Sequence, residues 1–136
     1  MYPNTRWIRA ALNASLWLVS LVLCQAQELY VRVVDVGAGE CFVVKAPGSA
    51  GKDHYMVYDA GNYEDKGKTA MDAINEIIPA GSKIDLVVLS HSDSDHIAAV
   101  PEIMDQYHVK KVIHPGYQRP TNTWKESHQA ILDEVA

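Results

Sequence analysis

The apolar run Ile84-Asp85-Leu86-Val87-Val88-Leu89 passes directly into Ser90-His91-Ser92-Asp93-Ser94-Asp95-His96. The run reads as a strand buried on both faces, because near-continuous Val, Ile and Leu suit a strand covered by helices. The cluster sets two imidazoles and two carboxylates within the six residues from His91 to His96. A buried strand ending in such a cluster restricts the fold. The sheet must hold this strand inside and release the cluster at its edge, where sheets layered with helices carry their sites.

The rest of the chain supplies that sheet. Leu29 to Val36 is rich in β-branched residues and reads as a strand, Gly37-Ala38-Gly39-Glu40 as a turn, and Cys41 to Lys45 as the returning strand of a hairpin. Pro47 to Gly51 reads as a loop, and His54 to Tyr58 as a third strand ending at Asp59-Ala60-Gly61. Thr69 is the expected N-cap of a helix, with Asp72 completing a capping box. Met71, Ile74, Ile77 and Ile78 recur at helical spacing before Pro79 and Gly81 stop the run. Beyond the cluster, Pro101 suits the first turn of a helix running to about Tyr107. Val109 to Ile113 reads as a strand, and His114-Pro115-Gly116 as a turn. Thr123-Trp124-Lys125-Glu126 has the capping-box pattern, followed by apolar Ile131, Leu132 and Val135. The order implies an α+β domain, a mixed sheet layered with helices.

The N-terminus reads differently. Arg6 and Arg9 precede an apolar stretch from Ala10 to Leu23, and Cys24-Gln25-Ala26 offers small residues for cleavage between Ala26 and Gln27. That stretch is shorter than the ~20 apolar residues of a transmembrane helix. Residues 1–26 are therefore expected to be a cleaved secretory signal, leaving a secreted or periplasmic domain of residues 27–136. Membrane contact is expected only through the signal, and a retained anchor is the weaker reading. The signal removes two of the 12 basic residues and none of the 17 acidic ones, leaving a formal charge of −7. That balance gives no signal for nucleic-acid binding, and Lys110-Lys111 is the one adjacent cationic pair. Cys41 is then the only cysteine, so no intramolecular disulfide can hold an exported domain together, and bound metal is a candidate for that role.

In an extended segment, residues two apart point the same way, so His91, Asp93 and Asp95 can converge, with His96 facing a neighbouring centre. Imidazole and carboxylate together suit zinc, and also iron or manganese. The competing reading is a polar loop in which Ser94 or Asp95 caps the next helix and the histidines are incidental. Four ligand-type side chains in six positions favour the metal. His114 reads as a loop histidine, His54, His108 and His128 as surface or edge residues, and Cys41 as a small core residue.

Leu89-Ser90-His91-Ser92-Asp93-Ser94-Asp95-His96-Ile97 resembles the His-x-[His/Asp]-x-Asp-His signature of the metallo-β-lactamase superfamily. Val34-Asp35-Val36-Gly37-Ala38-Gly39-Glu40 is similar to the opening hairpin of its DNA-uptake (ComEC-type) branch, and Val57-Tyr58-Asp59-Ala60-Gly61 to the Asp-x-Gly ahead of the metal motif. The resemblance implies two metal ions, zinc foremost. His91 and Asp93 would bind the first. Asp95 and His96 would bind the second, with Asp95 also close to the nucleophile, and Asp59 would orient ligands from behind. It further implies attack by metal-bound hydroxide on an ester, amide or phosphodiester of a small-molecule or phosphodiester substrate. Asp93 stands where histidine is commoner, and Ala98-Ala99 where the branch has Gly-Gly. The family's later ligands, a His, a bridging Asp and a final His, fall beyond Ala136. The expectation is thus the N-terminal half of a four-layer αββα sandwich, truncated at its C-terminus and possessing an uncovered sheet through which it self-associates. The rival is a non-catalytic secreted fragment or interaction domain that binds metal weakly.

Overall fold

The computed structural model describes residues 28–134. The expected signal with Ala26 and Gln27, and the apolar Val135, lie outside the described residues. Among these residues no helix is long and apolar enough to cross a membrane.

A five-stranded mixed sheet forms the body, in the order β1-β2-β3-β5-β7. Strands β1 (Tyr30–Val33), β2 (Phe42–Ala46) and β3 (His54–Tyr58) form an antiparallel meander. Strand β5 (Leu86–Val88) then pairs parallel to β3, and β7 (Val112–Ile113) parallel to β5. Helix α1 (Lys68–Ile77) makes the crossover into β5, and the short helix α2 (Ser94–Ile97) with α3 (Val100–Gln106) makes the crossover into β7. Helix α4, described over Asn122–Glu134, packs against α2 and α3. Two further short strands, β4 (Lys83–Ile84) and β6 (His108–Val109), pair parallel beside the main sheet.

Pairing register assigns the two sheet faces. Val43, Val57 and Val87 are aligned across β2, β3 and β5 and fully buried. Met71 and Ile74 of α1 and Val100 and Ile103 of α3 join them in one core. Burying each such side chain contributes roughly 1.5–3 kcal/mol. The opposite face carries Val31, Val33, Phe42, Val44, Met56, Tyr58, Leu86, Val88 and Ile113. Val31, Val33 and Ile113 are exposed there, and a groove of about 440 Å3 runs between Val31, Glu40, Phe42, Val44, Met56 and Tyr58. Among the described residues no helix lies over this face.

Several local expectations change. The run Ile84 to Leu89 is not one strand buried on both faces: it divides at Asp85, and Leu86 and Val88 are only half-buried. The Asp85 carboxylate accepts hydrogen bonds from Tyr55 N–H and His54 Nδ1, each at 3.1 Å, and from Lys110 Nζ. Burial works against the Asp85 charge, yet these donors together hold its carboxyl below the ordinary value. The strand expected over Val109 to Ile113 divides opposite it into β6 and β7.

Strand β1 stops at Val33 rather than Val36, because Val34 and Val36 turn into the core and Val36 O accepts from Asn62 Nδ2 at 2.9 Å. The helix caps also move. Gly67, not Thr69, is the N-cap of α1, and Asp65 accepts from Gly67 N–H and Thr69 N–H, both at 2.9 Å. For α4 the capping oxygen is that of Thr121, which accepts from Trp124 N–H at 3.2 Å. Thr123 instead accepts from Ser94 Oγ at 3.1 Å, which ties α4 to the start of α2.

Candidate metal centre

Strands β3 and β5 run parallel, so their carboxyl ends open together, and both deliver polar residues there. Asp59 follows β3 with φ of +52°, a left-handed conformation that few non-glycine residues adopt and that Asp tolerates best. Its N–H donates to Val88 O at 2.8 Å, holding the turn against β5. The carboxylate is fully buried. Oδ1 accepts from Ser90 N–H at 2.7 Å, while Oδ2 accepts from Ser90 Oγ at 2.6 Å and from His96 Nδ1 at 2.7 Å.

This network settles both histidine tautomers. Ser90 has one hydroxyl proton, and Asp59 takes it, so the 2.7 Å contact between Ser90 Oγ and His91 Nδ1 must carry a proton from the imidazole. His96 likewise donates through Nδ1 to Asp59. Each neutral ring therefore keeps its lone pair on Nε2. The rings lie side by side with centroids 3.8 Å apart. Potential donor atoms of Asp59, His91 and His96 all lie within 4.8 Å of one another.

Each free nitrogen has its own carboxylate. His91 Nε2 is 3.9 Å from Asp93 Oδ2, and His96 Nε2 is 3.7 Å from Asp95 Oδ2. An ion about 2.1 Å from two donors at a tetrahedral angle separates them by roughly 3.4 Å, so each pair lies within about 0.5 Å of that spacing. The extended alternation foreseen for His91, Asp93 and Asp95 ends at Asp93. Asp95 lies in the first turn of α2, and only helix geometry brings its carboxylate beside His96. The helix N-cap is Asp93, neither Ser94 nor Asp95, and the Asp93 side chain makes no cap hydrogen bond.

A sequence profile of the metallo-beta-lactamase superfamily matches residues 34–135, three quarters of the chain. The chain belongs to this superfamily. No curated protein sequence matches it. The sheet with helices on one face is accordingly a partial metallo-β-lactamase fold.

The superfamily usually binds metal ions, and these residues fit one on their own chemistry. Two imidazole nitrogens and two carboxylates are presented, and the buried carboxylate behind them has already fixed the tautomers. Three donors take up three of the roughly four lone-pair sites of the Asp59 carboxylate, one of them His96 Nδ1–H, so in this geometry Asp59 acts through the histidines, the arrangement known to raise imidazole basicity in metal sites.

The metal motif is also held from the other side by residues that sequence reasoning missed. Ser92 is fully buried; its hydroxyl donates to Tyr117 O at 3.3 Å and accepts Arg119 N–H at 2.9 Å. Arg119 Nε donates to Asp93 Oδ1 at 2.6 Å, and Nη2 to Asp93 Oδ2 at 3.2 Å. Arg119 lies 26 positions beyond Asp93 in a loop without periodicity, so no local pattern marks it. Ser90 sits next to the motif and gave no signal because a lone serine is common at strand ends.

The other histidines are engaged elsewhere. His114 Nδ1 donates to Pro115 O at 2.9 Å and its ring packs 5.4 Å from that of Trp124. His128 stacks on Trp124 with centroids 5.3 Å apart, and His54 and His108 pair with Asp85 and Glu134. Cys41 is buried in the core, where burial first and the Asp59 charge second push its thiol up to about 12. Such a thiol stays protonated at neutral pH and is no nucleophile.

Proposed function

We propose that this chain carries the first part of the two-metal centre of a hydrolase acting on ester, amide or phosphodiester bonds. His91 with Asp93 would hold one ion and His96 with Asp95 the other, zinc foremost and iron or manganese also suited to the donors. The observation that carries this reading is the pair of free Nε2 atoms, each with a carboxylate oxygen within 4 Å. Bound ions would activate water and polarise the scissile group. The protein's own part is to hold both imidazoles as Nδ1–H tautomers through Asp59 and Ser90, and to place Asp95, 43% exposed, where it can accept a proton from an incoming water. The hairpin resembling the DNA-uptake branch, whose turn lies against Asp95, supports phosphodiesters within that range.

Elemental analysis after zinc loading and desalting tests the centre. We expect near-stoichiometric zinc in the natural protein and loss of at least half in His91→Ala and Asp95→Ala. Substoichiometric zinc that ignores both substitutions refutes the proposal. Turnover of a chromogenic phosphodiester against a chromogenic carboxylic ester separates the substrate classes.

The open sheet face favours a second, compatible reading as an interaction surface, and we propose a second copy of the chain as its occupant. Glu40 is the one charged residue lining the groove of this face and the rest of the lining is apolar, so two copies can meet there by burying Val31, Phe42, Val44, Met56 and Tyr58 while Glu40 stays in water. Sheets pack face to face about 10 Å apart by interdigitating such side chains. Sedimentation should show association that grows with concentration, and Met56→Lys should leave a monomer. A natural protein that stays monomeric at all concentrations refutes the interface.

A further inference from the structure

We propose that Arg119 is a positioning residue for the metal centre. Its guanidinium fixes the Asp93 carboxylate so that Oδ2 is turned to the ion shared with His91. The inference rests on the reading of His91 and Asp93 as a ligand pair.

The geometry has three parts. The guanidinium meets Asp93 through two adjacent N–H groups, Nε to Oδ1 at 2.6 Å and Nη2 to Oδ2 at 3.2 Å. A planar fork of this kind fixes the plane of a carboxylate, which a single ammonium cannot do. The short arm falls on Oδ1, while the long arm leaves Oδ2 less engaged, and it is Oδ2 that lies 3.9 Å from His91 Nε2. An ionised carboxylate has about four lone-pair sites, so Oδ2 can accept the long arm and still bind an ion. Finally, Arg119 does not rely on its side chain for its place. Its backbone N–H is tied to the buried Ser92 hydroxyl, the residue between the two proposed ligands.

Ordinary stabilisation does not account for the contact. Arg119 is 51% and Asp93 33% exposed, and ion pairs as open as this add little to folding. A second account would make Arg119 a cation standing in for the metal and displaced by it. That account requires the guanidinium to close Oδ2 to His91, whereas Oδ2 takes only the longer arm, at 3.2 Å, and lies 3.9 Å from His91 Nε2. The asymmetric fork and the direction of Oδ2 favour joint occupancy.

Histidine ligands in metal sites are held from behind by Asp59 here. Asp93 is a carboxylate, and a carboxylate ligand takes a donor behind it, not an acceptor. Arg119 supplies that donor.

Chelator competition with zinc, on the full chain, tests the role. We expect Arg119→Ala to weaken zinc binding about 10-fold or more, the usual effect of losing a partner behind a ligand. Arg119→Lys keeps the charge but loses the fork and should recover only a minor part. The Tm of the metal-free variants should stay within a few degrees of the natural protein, which separates positioning from a structural role. Lys125→Ala, a cation nearby in α4 outside the proposed centre, should leave zinc affinity unchanged. In 15N spectra the Arg119 Nε–H resonance should persist on zinc loading.

Unchanged or tighter zinc binding in Arg119→Ala, or loss of that resonance with zinc, overturns the inference while leaving the centre itself standing. Failure of the natural protein to bind zinc overturns both, and the titration of the natural protein tells the two failures apart.

Discussion

Gly39→Ala should lower the stability of this domain by on the order of 3 kcal/mol, although Gly39 lies in an outer turn and adds one methyl group. A left-handed backbone costs a non-glycine residue roughly 1–2 kcal/mol, and forced overpacking adds about 1–3 kcal/mol. Gly39 incurs both: its φ is +104°, and a Cβ there would lie 1.8 Å from the Asp95 carbonyl oxygen and 2.8 Å from the Asp95 carbonyl carbon. The clash is with backbone, so no rotamer change relieves it. Either the hairpin turn or the first turn of α2 must move, and the second choice carries the Asp95 carboxylate away from His96. Gly81→Ala supplies the control, with φ of +78° and nothing within 4 Å of the added carbon. It should cost only about 1 kcal/mol. At roughly 4–8 °C per kcal/mol for a domain of this size, calorimetry should show a Tm loss of ~12–24 °C for Gly39→Ala and ~4–8 °C for Gly81→Ala. Equal losses would mean that the hairpin does not press on the metal loop.

The hairpin, the third strand and the proline-started helix were legible because each rests on local chemistry. β3 occupies His54–Tyr58, the bounds expected for it, and Pro101 stands in the first turn of α3, where its missing N–H costs nothing. The divided strand has its cause in long-range partners that a window of residues cannot contain. Asp85 interrupts an apolar run because His54 and Tyr55 of β3 and Lys110 from the bend between β6 and β7 converge on its carboxylate. The caps moved because both helices begin earlier than expected, α1 at Lys68 and α4 by Asn122, so that Asp65 and Thr121 reach the N–H groups of Thr69 and Trp124.

At the centre, spacing alone drew attention to His91, Asp93, Asp95 and His96, yet it grouped them wrongly. Alternation joined His91, Asp93 and Asp95, whereas the onset of α2 at Ser94 divides the four into His91 with Asp93 and His96 with Asp95. Ser90, Ser92 and Arg119 carry no spacing signature, since what recruits them is the cluster's folded position rather than its sequence.

Asp59→Asn should abolish most zinc binding while leaving the chain folded, and the reason is a proton rather than a charge. Asparagine has nearly the shape of aspartate but offers one acceptor oxygen in place of two. If that oxygen keeps Ser90 N–H, the amide NH2 replaces Oδ2 and points at Ser90 Oγ and His96 Nδ1, where donors are already directed. Two donors cannot face each other, so His96 must shift its proton to Nε2, the atom proposed to bind the ion. His91 is exposed to the same change through Ser90, whose hydroxyl no longer has a carboxylate to receive it and turns toward His91 Nδ1. Both rings are then driven to the wrong tautomer by one substitution in a residue that need not touch the metal. A fall of about 10–100-fold in zinc affinity is expected. In 15N spectra of the metal-free protein, both imidazoles should change from Nδ1–H to Nε2–H. Asp59→Ala should behave differently. It leaves Ser90 N–H, Ser90 O–H and His96 Nδ1–H without their shared acceptor, at a cost of roughly 1–3 kcal/mol for each group that water cannot reach. Its main effect should therefore be on Tm. If Asp59→Asn retains natural zinc affinity with both tautomers unchanged, the buried carboxylate does not set the proton positions, and the two free Nε2 atoms lose their physical basis.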